Sequence, residues 1–439
     1  MKKNPAEGNG ENRRPKEKIL ASTGKKPESE KKKMKPDPDL ERLKEDARRG
    51  NPEAQSELAA RYAEGNGVRK NSTRARELFA LAAEQGNPKG INGLGVLYST
   101  GRGVKKDFRR AFELFQKAAD LGYRSAMTNL GNCYDRGEGV AQNEETAVQY
   151  YRKGAELGCD GAQLALGRCL LWGHGVGRNK TEAAKWIRKA AERGNAEAQN
   201  QLGILFHRGE GVKKDPAKSF RWLRRAAEQG FAEAQFNLGC SFSDGYGVGK
   251  NHKRAFVWTE KAADQVLAAA MLNLGYFYMH GKGVKRNRAE GIRWYLKAAR
   301  KGNETAQYNL ALCYYRGEGV KKDLGKARRL LKKAVSRNYP PALLLLGAVY
   351  ENGLGVKRNE SLAAEWYRKA AGLGNAKAQF QLGACYERGI GVHRNLEEAA
   401  KWFRQSADLG YPPARYKLKY EAFLLRNVSE RLPAAGRAD

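Results

Sequence analysis

The chain has 439 residues and carries 82 Lys+Arg against 48 Asp+Glu, a formal net charge of +34. Its 41% hydrophobic and 9% aromatic content supplies enough apolar surface for an extended core, which excludes a chain disordered throughout. No run of about 18 uncharged apolar residues occurs, so no transmembrane helix is expected.

Residues 1–38 hold twelve Lys/Arg and six Asp/Glu, with several Pro and Gly and no apolar stretch of secretory type. They read as a disordered basic tail rich in Lys, Glu and Pro. The remainder keeps +28, so the basicity belongs to the part that folds. Residues 39–50 follow as an N-terminal capping helix, with Leu43, Ala47 and Gly50 in step with what comes after.

Residues 51–410 are ten copies of one 36-residue unit. A Gly-x-Gly-Val block starts at Gly65 and returns at Gly101, Gly137, Gly173, Gly209, Gly245, Gly281, Gly317, Gly353 and Gly389 without an insertion. Each unit reads as two helices. In the first, Ala198, Leu202, Gly203 and Phe206 share one face at 3.6 residues per turn and form core. The glycines permit positive φ where that helix ends and the chain reverses. An Asn or Asp then stands in every copy, from Asn71 to Asn395, as the N-cap of the second helix, and Pro216 sits where a first-turn Pro is tolerated. The second helix buries Ala183, Ile187, Ala190 and Ala191 and usually stops at Gly. Val266 stands in place of that Gly, and a β-branched residue resists positive φ, so a bend or altered helix end is expected there. Residues 411–427 read as a C-terminal capping helix and 428–439 as a flexible tail. The predicted fold is all-α: a solenoid of ten helix-turn-helix repeats capped at both ends.

The frame A-x-Q-x-x-L-G-x-x-Y/F-x-x-G-x-G-V-x-x-D/N-x-x-x-A-x-x-W/F-x-x-A-A resembles the Sel1-like repeat, a relative of the tetratricopeptide repeat, over about residues 51–425. The resemblance implies a right-handed α/α superhelix that serves as a non-enzymatic scaffold or adaptor for other proteins. Some secreted members of that family join helix pairs by cysteines eight apart. Here the corresponding pairs are Ala119 and Met127, Ala191 and Gln199, and Ala227 and Gln235, so that feature does not carry over.

Catalytic and metal-binding patterns are not legible, and no cofactor is implied. The five His (His174, His207, His252, His280, His393) lie at different repeat positions. The Gly-x-Gly element lacks the preceding strand and the GK[ST] of a phosphate loop. Cys133, Cys169, Cys313 and Cys385 share one position and read as small buried apolar residues, which fits a reducing, intracellular and cytoplasmic setting. Trp186, Trp222, Trp258, Trp294, Trp366 and Trp402 share another and read as a structural aromatic ladder.

Two surfaces are candidates for binding. Opposite the core face of the first helix runs an amide ladder of Asn129, Gln201, Asn237, Asn273, Asn309 and Gln381. Amides both donate and accept, so a row of them suits an extended peptide backbone on the concave face. Phe236, Tyr276 and Tyr308 run beside it, with Arg208, Arg316 and Arg388 further on. The same residues also suit packing between repeats, and the sequence leaves both readings open. The second surface is cationic: Lys105, Lys106, Lys213, Lys214, Lys285, Arg286, Lys321, Lys322, Lys357 and Arg358 follow the turn valines. Another row, Lys117, Lys153, Lys189, Arg225, Lys261, Lys297, Lys333 and Lys369, lies on the second helix. These rows suit an acidic protein, nucleic acid or another anionic surface, or solubility alone.

Overall fold

The structure, a computed structural model, describes residues 38–419. Of the expected tail 1–38 only Pro38 is described, and it begins a helix; the rest of it, the expected tail 428–439 and residues 420–427 of the C-terminal cap lie outside the described residues. A capping helix, Pro38–Arg48, packs on the first repeat. The first helices of repeats 1 to 10 are then Pro52–Glu64, Pro88–Thr100, Arg124–Arg136, Asp160–Trp172, Ala196–Arg208, Ala232–Asp244, Ala268–His280, Glu304–Arg316, Pro340–Glu351 and Ala376–Arg388. Their second helices are Ser72–Glu84, Phe108–Asp120, Glu144–Glu156, Lys180–Glu192, Pro216–Glu228, His252–Asp264, Arg288–Arg300, Leu324–Val335, Glu360–Gly372 and Leu396–Asp408. Residues 412–419 are again helical, and the described residues contain no strand.

Local chemistry sets these limits. The Asn or Asp before each second helix accepts from a backbone amide in its first turn, as Asn71 does from Arg74 at 3.0 Å and Asp215 from Lys218 at 2.9 Å. Such a cap contributes about 1 kcal/mol, and ten of them fix where the second helices begin. At the other end, Gly101 at φ 70 and Gly103 at φ 72 occupy the left-handed region that ends the first helix and turns the chain.

Packing within a repeat depends on a second kind of glycine. A Cβ on Gly203 would come 2.7 Å from Leu223 Cγ, and one on Gly383 would come 2.8 Å from the ring of Phe403. The second helix therefore sets a large side chain directly on the backbone of the first. Packing between repeats uses the second turn glycine: a Cβ on Gly103 would stand 2.6 Å from Ser72 O of the preceding repeat, and one on Gly211 would strike Lys180 O. Gly67, in the first repeat, has nothing within 4 Å among the described residues.

A buried glutamine also couples repeats. Gln199 Nε2 donates to Ala191 O at 3.0 Å and Gln235 Nε2 to Ala227 O at 3.3 Å, with the same bond at Gln55, Gln163, Gln307 and Gln379. It adds a second donor to a carbonyl at the end of the preceding second helix that already accepts the amide of the helix-ending Gly, as Ala191 O does from Gly194 at 3.1 Å and Ala227 O from Gly230 at 3.0 Å.

The sequence predicted a bend or altered helix end at Val266. Instead the helix ends at Asp264, in register with the other repeats, and Val266 takes φ 67. Asn338 stands at the equivalent position with φ 54. Asn tolerates that region, whereas a β-branched side chain is strained there.

Three outcomes are expected. Val266→Gly should raise stability by about 1 kcal/mol, because relief of the left-handed penalty exceeds the chain-entropy cost of glycine; an unchanged urea midpoint would remove the strain argument. Alanine at Gly67 or Gly211 adds about 1–2 kcal/mol of left-handed strain. Only Gly211→Ala also drives a methyl into Lys180 O, so it should destabilise further, by about 1–3 kcal/mol. Equal losses would show that the turn glycine does not set repeat spacing. Finally, burial pushes the thiols of Cys133, Cys169, Cys240, Cys313 and Cys385 up to about 11. At pH 8 only about a thousandth of each is thiolate. Peptide-resolved mass spectrometry should therefore find these five unmodified by iodoacetamide in the native protein and modified in urea.

Candidate functional site

The first helices form one layer of the array, here termed the inner layer, and the second helices the outer. Successive first helices touch directly, as between Pro52–Glu64 and Pro88–Thr100 and between Arg124–Arg136 and Asp160–Trp172, while successive second helices are held further apart. Hydrogen bonds tie this inner layer: Asn129 Nδ2 donates to Asn92 Oδ1 at 2.8 Å and Asn237 Nδ2 to Asn200 Oδ1 at 2.9 Å.

The amide ladder is thus partly engaged with the protein itself. Asn129 and Asn237 each commit a donor to the preceding repeat, Asn273 Nδ2 lies 3.9 Å from Cys240 Sγ, and Asn309 meets the phenol of Tyr295. Gln201 and Gln381 are half-buried. Among the aromatics, Phe236 packs against a core cluster, Tyr308 lies edge-on to Tyr339 at 5.7 Å, and Tyr276 is exposed. Tyr276 is held by Lys282 Nζ at 2.8 Å from its hydroxyl and by the ring of His280 at 4.4 Å. Arg208, Arg316 and Arg388 are exposed.

The structure brings some of these residues together. Ile204, His207 and Arg208 of repeat 5 and Asn237, Cys240 and Asp244 of repeat 6 line one inner cleft of about 310 Å³. Its rim is fixed by Tyr246, whose hydroxyl donates to His207 O at 3.0 Å and whose ring lies 4.3 Å from the imidazole. Sequence reasoning passed over Trp172, the one Trp outside the ladder. It is 55% exposed and ends the first helix of repeat 4, at the position that Arg136 and Arg208 hold in repeats 3 and 5. Its departure from the common Trp position was the available signal.

The cationic rows differ in character. The ten turn residues, from Lys105 to Arg358, are all exposed. Lys106 lies over Phe108 at 4.1 Å, Arg286 Nε donates to Met279 O, and Arg358 pairs with Glu360. The row on the second helices joins the tryptophan ladder in one feature. Lys189 stacks on Trp186 at 4.1 Å, Arg225 on Trp222 at 4.7 Å, Lys261 on Trp258 at 4.3 Å, Lys297 on Trp294 at 3.7 Å and Lys369 on Trp366 at 4.3 Å. Each contact contributes about 0.5–1 kcal/mol at an exposed site, so these cations help to cover the outer helices.

Among the described residues no helix is long and apolar enough to cross a membrane, and no group of three or more His, Cys, Asp or Glu is placed to hold a metal.

The Sel1 repeat family model matches ten times, at residues 52–87, 88–123, 124–159, 161–195, 196–231, 232–266, 268–303, 305–339, 340–375 and 376–411. Among solved structures, the chain is similar to a protective antigen of uropathogenic Escherichia coli displaying an SLR fold. That match has 33% identity and a TM-score of 0.51, and covers 90% of this chain and 91% of the other. A Sel1 repeat protein from Oxalobacter formigenes matches with 31% identity and a TM-score of 0.53, covering 70% of this chain and 89% of the other. A search of curated proteins finds no match. Sel1 repeat proteins generally mediate protein–protein interactions and are generally non-catalytic. With ten in-phase matches on the helix pairs described above, the chain belongs to the Sel1 repeat family.

Proposed function

We propose that the protein is a non-enzymatic scaffold that holds an extended, acidic segment of a partner protein along the inner face of repeats 3 to 6. The observation that carries this reading is Trp172, exposed on the inner helices with Arg136 and Arg208 at the equivalent positions of the repeats on either side. Trp and Arg are the side chains that most often dominate binding energy, because each combines a large contact area with few ordered partners. Beside them, the cleft lined by Ile204, Arg208 and Asn237 offers an apolar wall, a cation and an amide within one site. Arg208 attracts a carboxylate, and Asn237 retains an oxygen that accepts from a peptide N–H.

The exposure of the turn cations supports a second reading, in which Lys105, Lys106, Lys213, Lys214, Lys285, Arg286, Lys321, Lys322, Lys357 and Arg358 meet nucleic acid or another anionic surface. The two readings separate by salt and by nuclease. A protein captured on the inner face should survive nuclease treatment and moderate salt. It should lose about tenfold or more in affinity on Trp172→Ala or Arg208→Glu, with the helical circular dichroism unchanged. It should be little affected by Lys321→Ala with Lys322→Ala. Binding that disappears with nuclease, or that tracks the turn lysines and ignores Trp172, rejects the inner-face scaffold.

A further inference from the structure

The outer surface contains a place where cations gather over a buried ring. Between the second helices of repeats 4 and 5 lies a cleft of about 310 Å³, walled by Arg188 and Glu192 on one side and by Lys218, Arg221 and Arg225 on the other. Phe206 is its floor and is only 5% exposed. Arg188 and Lys218 both stand over that ring, at 5.9 and 5.7 Å from its centroid. Lys218, Arg221 and Arg225 fall at i, i+3 and i+7, one stripe of the helix facing the cleft.

One repeat earlier, the two positions that face each other across this groove are Arg152 and Glu182, and they form an ion pair at 3.2 Å. In repeat 5 the glutamate is replaced by Lys218, so a cation faces a cation. Lys218 has Asp215 at 3.2 Å, and Arg225 stacks on Trp222 at 4.7 Å. Among the described residues no carboxylate lies within 4 Å of the Arg188 or Arg221 guanidinium. The cleft thus gathers four cations against Glu192 over a buried aromatic base.

Two guanidinium forks and an ammonium suit an anion with several oxygens and more than one charge. Guanidinium donates in parallel pairs to phosphate oxygens, and a dianion offsets the mutual repulsion of the cations better than a single carboxylate does. We propose that this cleft is a phosphoryl-binding site for a small phosphorylated ligand, whose dianion is held by Arg188, Lys218 and Arg221. It lies on the outer helices and does not depend on the inner-face reading.

The test is calorimetric titration of the full chain with inorganic pyrophosphate at about 150 mM NaCl, where exposed charges are screened beyond about 8 Å. A single saturable site is expected. Lys218→Glu installs the pairing that Arg152 and Glu182 already make one repeat earlier, so the fold should tolerate it, and binding should weaken about tenfold or more. Arg221→Ala should weaken it similarly. Lys253→Glu makes the same charge change at an exposed site on the next outer helix and should leave the affinity within about twofold. Absence of a saturable isotherm, or equal weakening by Lys218→Glu and Lys253→Glu, overturns the assignment, because diffuse positive charge would then account for any binding.

Discussion

In nearly every repeat a glycine of the first helix lies directly under a large side chain of the second: Gly95 under Phe115, Gly203 under Leu223, Gly347 under Tyr367 and Gly383 under Phe403. Two repeats carry Ala there instead, Ala59 in one core cluster with Phe79 and Ala311 in one with Leu331. A ring resting on bare backbone brings the two helix axes close, and that fixes the pair as a rigid unit. The second turn glycine repeats the device between units, admitting the first turn of the preceding second helix against the chain. With both distances fixed and no insertion anywhere, the same step recurs ten times, and a continuous core forms between units that would not be stable alone.

Polar groups then follow the register that these approaches set. The buried glutamines reach back eight residues to a carbonyl at the end of the preceding second helix, and Gln85, Gln229 and Gln265 donate in turn to Gln55, Gln199 and Gln235. Ion pairs also cross from repeat to repeat, including Lys89 with Glu57 at 2.6 Å and Lys180 with Glu210 at 2.9 Å. Exposed pairs of this kind contribute little individually, about 0–1 kcal/mol. Their significance is positional: they neutralise some of the cations, and those left over mark where another molecule has room to bind.

The charge of +34 therefore resolves into parts with different physics. Part of it covers tryptophan on the outer helices, part is paired across repeats, and part stands free at the turns. At the outer cleft between repeats 4 and 5 the positive charge is gathered most closely, with Arg188, Lys218, Arg221 and Arg225 around Phe206. The first helices follow a different logic, with Trp172 exposed at a position that Arg136 and Arg208 hold in the neighbouring repeats. A repeat protein acquires specificity in this way, by departures from its own consensus rather than by the consensus itself.

Much of the fold was legible because its period is unbroken: helix faces, N-caps from Asn71 to Asn395 and turn glycines all follow from short-range geometry repeated ten times. The sequence alone determined the helix pairs, their order, their boundaries to within a residue or two, and the Sel1 family. Tertiary structure decided what short-range reasoning cannot reach. Asn129 and Asn237 turned out to be tied to Asn92 and Asn200, thirty-seven residues away. Val266 kept the helix register beside Gln265, whose side chain donates to Gly230 O of the preceding repeat at 2.8 Å. Arg188 and Lys218 met over Phe206 only once two outer helices were packed side by side. Periodicity fixes which residue occupies which position in a unit, but whether a side chain is free, paired or strained depends on the neighbouring unit, and that is settled by packing.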